Sequence, residues 1–410
     1  MLMRRLGKCY SNICDMYDFI EKLPHVEGLP NIYFHVSENS GVGLYRQFLW
    51  AESLQDQKLA NILISDFRWG LGEHKNPTDD EMFAIANWAD VIIVGRLDKG
   101  DWLSKWGGIK EFFNMPMIMD TDDNIEHVRP TNPGYQGYHP GSEATYWNRI
   151  ALAKVFDALT VSTQNLKDFH KKDIPKIFVL PNSLNFKYWK FNKRTKKDDT
   201  IRIIFNGSGS HKESMDIIVK PLEKIMKNYP QVVFICPKLF RPSFKDWDKK
   251  QVKRVEFIDW FPLRHFPKKM AQLKVDIGLA PLADNMFNRA KSNLRWLEYS
   301  ALKIPVICSP VEAYKNVVHG ETGLVALERV EWYNSLEQLI KDKPLRLKLA
   351  RNAYKEVFVK FNIKKNAEKA LTIYKEVIDK YHKFFGDKKK FSYWNYNQKT
   401  KEHRWREIKN

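Results

Sequence analysis

Short apolar runs alternate with helix-length segments along this chain, and the alternation occurs twice. Strands that read as continuous apolar runs are buried on both faces, which is typical of parallel sheets covered by helices on each side. A densely charged stretch, Asn185–Thr200, separates the two series. The sequence therefore predicts two doubly wound α/β domains in tandem, with ligands bound at the carboxyl ends of the strands, in the cleft between the domains.

The predicted elements divide the chain into four parts: residues 1–184, a linker at 185–200, residues 201–385 and a basic, aromatic tail at 386–410. In the first part we predict strands at Ile32–Val36, Ile62–Ser65, Val91–Val94, Met117–Asp120, Ala158–Ser162 and Ile177–Leu180, and helices at Leu44–Gln57, Thr78–Ala89 and Glu143–Phe156. In the third part we predict strands at Ile201–Phe205, Val232–Cys236, Val255–Ile258, Val275–Ala280, Pro305–Cys308 and Leu324–Ala326, and helices at Ser214–Lys227, Asn293–Leu302, Pro344–Phe358 and Lys364–Phe384.

The composition narrows the class of protein. Four scattered cysteines are too few for a disulfide framework or a zinc module, and no uncharged apolar run approaches the roughly 18 residues of a membrane span. We therefore expect a reduced, cytoplasmic protein. Its 68 Lys and Arg against 49 acids give a formal net charge of +19, which favours nucleic acid, an anionic membrane surface or phosphorylated substrates as partners. The alternative is a lysine-rich surface that only solvates the protein.

A glycine-rich turn follows the first predicted strand of each domain. Gly41 and Gly43, in S-G-V-G-L-Y-R, allow a ligand close to the backbone at a helix N-terminus, although a plain tight turn has the same composition. The corresponding turn of the second domain, N-G-S-G-S-H-K-E, offers Ser208, His211 and Lys212 to a diphosphate. Neither turn is a complete dinucleotide or Walker motif.

The segment Phe287–Ile307 is the most specific in the chain. A loop with a cation enters a helix, and that helix leads into a buried strand. Lys291, Ser292 and Asn293, at the helix N-terminus, suit phosphate groups, and Glu298 suits the diol of a ribose.

This segment and its surroundings resemble the second domain of retaining glycosyltransferases of the GT-B fold, the group 1 type. Glu298 matches the second glutamate of their E-x7-E motif; the first is replaced by Ala290, followed by K-S-N, as in a divergent branch. The supporting stretches are Leu180–Ser183, Val275–Pro281 and His319–Gly323. The resemblance implies a nucleotide-sugar donor, with a UDP-sugar expected, no metal and no other cofactor, ribose binding by Glu298, and diphosphate binding by Lys291, Lys212 and His211.

The loop after the fourth predicted strand reads D-T-D-D-N, from Asp120 to Asn124. Its position at the cleft matches the place where the family carries a catalytic-loop residue. Asp122 and Asp123 are therefore candidates for a general base, or for groups that stabilise positive charge on the sugar. The alternative is that Asp120 and Asp123 only cap turns or helices.

Three basic and aromatic stretches bear on the sugar acceptor: Lys187–Lys197, Lys238–Arg254 and the tail. Cations combined with stacking aromatics favour nucleic acid. We expect duplex DNA with hydroxymethylated bases as acceptor, as for some bacteriophage enzymes, which would then work in the host cytoplasm. The alternatives are a surface glycan or lipid-linked saccharide reached at an anionic membrane, and a binding protein without turnover. The predicted acceptor-binding residues are Arg46, Lys187, Trp189, Lys193 and Arg194.

Overall fold

The computed structural model describes residues 23–65, 76–190, 199–397 and 402–408. Lys193 and Arg194, predicted to contact the acceptor, lie outside the described residues, as do Cys9 and Cys14. Cys236 and Cys308 are buried free thiols.

Two parallel six-stranded sheets form the centres of the two domains, which confirms the predicted fold class. The first sheet has the order β2-β1-β3-β4-β5-β6 and consists of β1 (Asn31–His35), β2 (Asn61–Ile64), β3 (Val91–Gly95), β4 (Met117–Thr121), β5 (Ala158–Val161) and β6 (Ile177–Val179). The second has the order β12-β11-β10-β7-β8-β9 and consists of β7 (Ile201–Phe205), β8 (Val232–Pro237), β9 (Val255–Ile258), β10 (Ile277–Ala280), β11 (Val306–Cys308) and β12 (Leu324–Val325). A separate antiparallel hairpin pairs β13 (Lys390–Asn397) with β14 (Glu402–Ile408).

Helices cover the sheets. They are α1 (Gly41–Gly43), which runs through a π-helical turn at Leu44–Phe48 into α2 (Leu49–Asp56), then α3 (Asp79–Trp88), α4 (Gly100–Phe113), α5 (Glu143–Lys154), α6 (Gln164–His170), α7 (Lys212–Asn228), α8 (Lys249–Val252), α9 (Phe266–Gln272), α10 (Met286–Arg289), α11 (Leu294–Ala301), α12 (Arg329–Lys341), α13 (Lys343–Lys360) and α14 (Ile363–Phe385). The sequence analysis missed α4, whose two adjacent glycines lower its helix propensity, and α12, whose N-cap is Glu328 rather than a Ser, Thr, Asp or Asn. Within the described part of the chain, none of the helices combines the length and the apolar character that crossing a membrane requires.

The side chains of strand β1 show that the first sheet is covered on both faces. Its side chains alternate between two cores: Ile32 and Phe34 pack in one cluster with Trp50, and Tyr33 packs in the other with Trp106. All five are fully buried. A strand with both faces buried has no polar alternation, which is the pattern that the sequence shows.

The last helix, α14, returns to the first domain although it follows the second in sequence. The rings of Tyr374 and Phe34 meet edge to face at 6.0 Å, and Tyr381 donates a hydrogen bond to Asn114 at 3.1 Å. Just beyond α14, Lys388 donates to the carbonyls of Asn87 and Ala89 at 2.6 and 2.5 Å.

The chain crosses between the domains at two adjacent places. Leu184, near the end of the first domain, accepts a backbone hydrogen bond from Ile363 at 3.0 Å and donates one to Phe361 at 2.8 Å. The outgoing and returning segments therefore run side by side as a short parallel bridge.

Arg46 lies in the π-helical turn and is buried, with 2% of its surface exposed. Its guanidinium donates to both carboxylate oxygens of Asp120, at 2.9 and 2.8 Å, to the carbonyl of Leu180 at 2.6 Å and to Asn182 at 2.9 Å. Thr160 donates to the same carboxylate at 2.6 Å. The prediction that Arg46 contacts the acceptor is therefore wrong, because its donors are used inside the first domain.

Replacing Arg46 by methionine is expected to lower the free energy of unfolding by about 3–5 kcal/mol, because Asp120 would remain as a buried, unpaired charge. Urea denaturation with an unchanged m-value measures this loss. The matched control is Lys105→Met, which removes the exposed ion pair with Asp79 and is expected to cost about 1 kcal/mol or less. Equal losses in the two variants would contradict the structural role of Arg46.

Candidate functional site

A cavity of about 1020 Å³, including its open mouth, lies between the two domains, at the carboxyl ends of their strands. First-domain loops contribute Gly41, Val42, Asp122, Asp123 and Asn182, and the second domain contributes Asn206, Gly207, Ser208, Ser210, His211, Trp260, Leu282, Lys291, Ser292, Leu294, Arg295, Glu298 and Tyr314. The position is the one that the doubly wound fold predicts for a ligand.

Glu298 stands on α11 and faces the first domain. Tyr45 donates a hydrogen bond to its carboxylate across the cleft, at 2.7 Å. Burial raises the pKa of Glu298 to about 7, although the bond from Tyr45 and the charge of Arg295 oppose that rise. The carboxyl therefore exchanges its proton near neutral pH.

A second contact joins the domains through opposite charges. Lys291 Nζ lies 3.0 Å from Oδ1 of Asp123. Burial by itself would raise the pKa of Asp123, but Lys291 and Arg96 together hold it below its usual value. Burial and the neighbouring Asp123 carboxylate raise the pKa of Asp122 to about 7. The loop thus carries two adjacent carboxyl groups whose pKa values are shifted in opposite directions, that of Asp122 upward and that of Asp123 downward.

Asn182 provides a third contact between the domains. Its amide nitrogen donates to Ser292 Oγ at 2.8 Å, and its oxygen accepts from Arg46. The buried ion pair of Arg46 with Asp120 therefore orients a side chain that reaches the predicted phosphate loop.

His211 and Arg295 bring polar groups to the cavity that have no protein partner within the described residues. These groups are Nδ1 of His211 and Nη1 of Arg295. Burial, followed by the charges of Arg295 and Lys291, lowers the pKa of His211 well below its usual value, so the imidazole is neutral. The guanidinium of Arg295 lies over the ring of Phe205, 5.1 Å from its centre. Arg295 was not predicted from the sequence; its place in the first turn of α11, directly after the loop that carries Lys291, was the available signal.

An apolar pocket of about 630 Å³ adjoins the cavity and shares Gly41, Asn206, Trp260, Leu294 and Glu298 with it. The shared Trp260 is 63% exposed, and the remaining walls of the pocket include Tyr45, Phe261, Leu263 and Phe266. This pocket was not predicted from the sequence. The available signal was the run Asp259–Phe261, which directly follows β9 at the cleft edge of the sheet.

Trp189 and Lys187, both predicted to bind the acceptor, have structural partners. Trp189 is only 4% exposed and packs edge to face on Phe266 at 5.9 Å, behind the apolar pocket, so the prediction of an acceptor-stacking ring is wrong. Lys187 pairs with Glu52 and Asp56 at 2.8 and 2.9 Å. An acceptor contact by Lys187 would have to compete with both carboxylates.

The predicted donor residues divide into two groups. The cavity brings together Gly41, Ser208, His211, Lys291, Ser292 and Glu298. Gly43, Lys212 and Asn293 stand outside its lining. Gly43 serves packing, because a Cβ there would lie 2.0 Å from the carbonyl oxygen of Glu38. Lys212 is exposed, and Asn293 is the buried residue that precedes α11.

Comparisons with known proteins bear on the fold. Residues 216–372 match a family model described as glycosyl transferase-like. Similar solved structures include HepE from Anabaena in complex with UDP-glucose (14% identity, TM-score 0.56, 85% of this chain and 98% of that chain covered). They also include sucrose-phosphate synthase from Thermosynechococcus elongatus (14%, 0.59, 86% and 100%) and a glycosyltransferase from Rickettsia africae (15%, 0.59, 86% and 99%).

No curated protein matches the sequence significantly. The structural likeness establishes the architecture: the chain has the GT-B fold. The match to the glycosyl transferase-like family model falls within the second domain.

The raised pKa of Glu298 has a consequence for stability. A carboxyl whose pKa is higher in the folded than in the unfolded protein stabilises the fold below its usual pKa, and this contribution is lost as pH rises through about 7. We expect Glu298→Gln to remove that loss. The free energy of unfolding of the wild type, relative to the variant, should therefore decrease between pH 5 and pH 8 in urea denaturation. A constant difference across this range would contradict the assignment.

Proposed function

We propose that the protein is a retaining glycosyltransferase that uses a UDP-sugar as donor. The observation that carries the proposal is the convergence of Glu298, Lys291, Arg295 and His211 on one interdomain cavity, next to an aromatic pocket. These groups supply what a nucleotide sugar requires: an apolar wall for the base, a carboxylate for the ribose and positive charge for the diphosphate.

The arrangement gives each part of the donor a place. Trp260 and Phe261 offer ring faces to a nucleobase. Glu298 borders both the apolar pocket and the larger cavity, where it can accept hydrogen bonds from both ribose hydroxyls. Lys291 and Arg295 then lie beside the diphosphate, and the neutral His211 offers a hydrogen bond. Gly41 lines both pockets and, because it has no side chain, allows the donor to approach the backbone.

The same groups account for transfer of the sugar. As the bond to the anomeric carbon breaks, negative charge develops on the leaving diphosphate, and Lys291 and Arg295 stabilise it from fixed positions. Asp122 is the proposed acceptor of the proton from the attacking hydroxyl, because a carboxyl with a pKa of about 7 exchanges protons readily near neutrality. No cofactor other than the donor has a role in the proposal.

Glu298→Gln keeps the shape of the side chain but removes its charge. Each charge-assisted bond to the ribose contributes about 1.5–3 kcal/mol, so we expect the affinity for UDP to fall at least about tenfold with the fold intact. Isothermal titration calorimetry measures the affinity. The matched control is Glu312→Gln, since Glu312 is paired on the surface with Lys315, at 2.5 Å, and lies outside both pockets. Unchanged UDP binding by Glu298→Gln would refute ribose binding.

For the acceptor we propose duplex DNA with hydroxymethylated bases. What supports this is a group of exposed cations on the second domain, in the segment that follows β8. The segment starts beside Pro237, which lines the apolar pocket, and the exposed cations are Lys238, Arg241, Lys245, Lys249, Lys250 and Lys253. The tail has a different position. Lys388 anchors it beside Ala89, just before β3 begins, and so at the end of the first sheet opposite the cavity.

A variant with alanine at Lys245, Lys249, Lys250 and Lys253 tests the DNA acceptor. Each lost phosphate contact lowers the salt-dependence slope of DNA binding by about 0.9, so the slope should fall by up to about 4 while UDP affinity stays unchanged. Fluorescence anisotropy with a labelled duplex measures this slope. The charge-matched control replaces four exposed lysines of α13 and α14: Lys343, Lys355, Lys364 and Lys369.

Equal effects of the two quadruple variants would mean that only net charge matters. If the wild type ignores duplex DNA but binds anionic vesicles, the acceptor is a glycan or lipid-linked saccharide instead. UDP-sugar binding without hydrolysis or transfer would favour a binding protein without turnover.

A further inference from the structure

Three side chains assigned to the donor are already bonded to the first domain. Lys291 pairs with Asp123 at 3.0 Å, Glu298 accepts from Tyr45 at 2.7 Å and Ser292 accepts from Asn182 at 2.8 Å. The second and third pairs join neutral donors to acceptors. Only in the first pair does a full negative charge, that of Asp123, occupy the place beside Lys291 that the donor diphosphate would take.

The position of Asp123 resembles that of a bound anion. Its carboxylate oxygen lies at hydrogen-bonding distance from the ammonium group of Lys291, and the two side chains keep 28% and 17% of their surface exposed at the cavity. A diphosphate that approaches Lys291 therefore meets a cation that is already paired. Two anions cannot occupy the same face of one ammonium group without repulsion.

We propose that Asp123 is an internal counter-ion that the donor diphosphate displaces from Lys291. This inference rests on the proposed function, because it takes Lys291 as part of the donor site. On binding, the ammonium exchanges a carboxylate for a diphosphate, and the Asp123 carboxylate turns to the first-domain side of the cleft. The donor thus alters the acceptor side of the cavity before the acceptor arrives.

The released carboxylate lies among both acidic and basic groups. Asp122 is the adjacent acidic group and Arg96 the basic group that acts on Asp123 itself, whereas Glu38 and Arg46 act on Asp122. Arg46 is committed to Asp120, and Arg96 donates to Glu38 at 2.7 Å. Without Lys291, Asp123 has less opposing charge, so its pKa rises and the two adjacent carboxyl groups favour sharing one proton. The two carboxyl groups therefore hold the proton of the acceptor hydroxyl more strongly once the donor is bound.

Other contacts hold the two domains together, so the Lys291–Asp123 pair is not needed for that purpose. Glu213 of the second domain pairs with Arg129 at 3.3 Å and accepts from Thr131 at 2.6 Å. Thr163 and Asn165 donate to the backbone carbonyls of Ala290 and Arg289, at 2.8 and 2.9 Å.

Calorimetry of Asp123→Asn at pH 8 tests the inference, with UDP as the probe and GDP and ADP in parallel. Removal of the competing charge should tighten diphosphate binding by up to about fivefold, the range expected for a partly exposed ion pair. Uridine, which has no phosphate, should bind both proteins equally. Asp122→Asn removes a nearby carboxylate that does not contact Lys291, and Glu213→Gln loosens the domain contact elsewhere; neither should reproduce the tightening.

Each outcome has a distinct meaning. Tighter UDP binding by Asp123→Asn alone, with uridine unchanged, supports displacement. UDP binding that is unchanged or weaker in Asp123→Asn overturns the inference and leaves the proposed function intact. An equal gain in Glu213→Gln or Asp122→Asn also overturns it, because domain opening or general electrostatics would then be the cause. If none of the nucleotides binds the wild type, the proposed function and the inference both fail.

Discussion

The buried ion pair between Arg46 and Asp120 is the interaction on which the rest of the cleft depends. Arg46 comes from the π-helical turn after β1, and Asp120 is the penultimate residue of β4. The same guanidinium also bonds the end of β6 through the carbonyl of Leu180. One side chain therefore connects the ends of two strands, β4 and β6, to the turn that follows β1. π-Helical turns often occur at functional sites, and here the irregular turn lets a long cation point inward from a helix.

The ion pair also positions the two catalytic candidates and one contact between the domains. Asp122 and Asp123 follow Asp120 directly, so their loop leaves from a strand end whose position is fixed. Asn182, oriented by Arg46, reaches Ser292 in the second domain. Arg46, which is buried and does not line the cavity, thus positions residues that do: Asp122, Asp123 and Asn182.

Local sequence pattern predicted the strands of both sheets. Strands buried on both faces leave an uninterrupted apolar signature, so β7 and β9 were predicted with the bounds that they have. The glycine-rich turn at Ser208 and the helix entry at Lys291 line the cavity because strand ends converge at the same edge of each sheet. Contacts between residues that are far apart in the sequence could not be predicted. Tyr45 and Glu298 are 253 positions apart, and no spacing rule relates them. Arg46 and Trp189 were placed on the surface because cations and amphipathic aromatics usually occur there, whereas tertiary partners bury both.

The return of α14 to the first domain affects how the protein is made. Ile373, Tyr374 and Val377 belong to the same buried cluster as Ile32 and Phe34, so the core of the first domain includes side chains from near the far end of the chain. During synthesis these residues emerge only after the whole second domain. Until α14 has been synthesised, part of one face of the first sheet is uncovered. The second domain can complete its own core before that. The core of the domain that is synthesised first is therefore completed by the segment that is synthesised after the second domain.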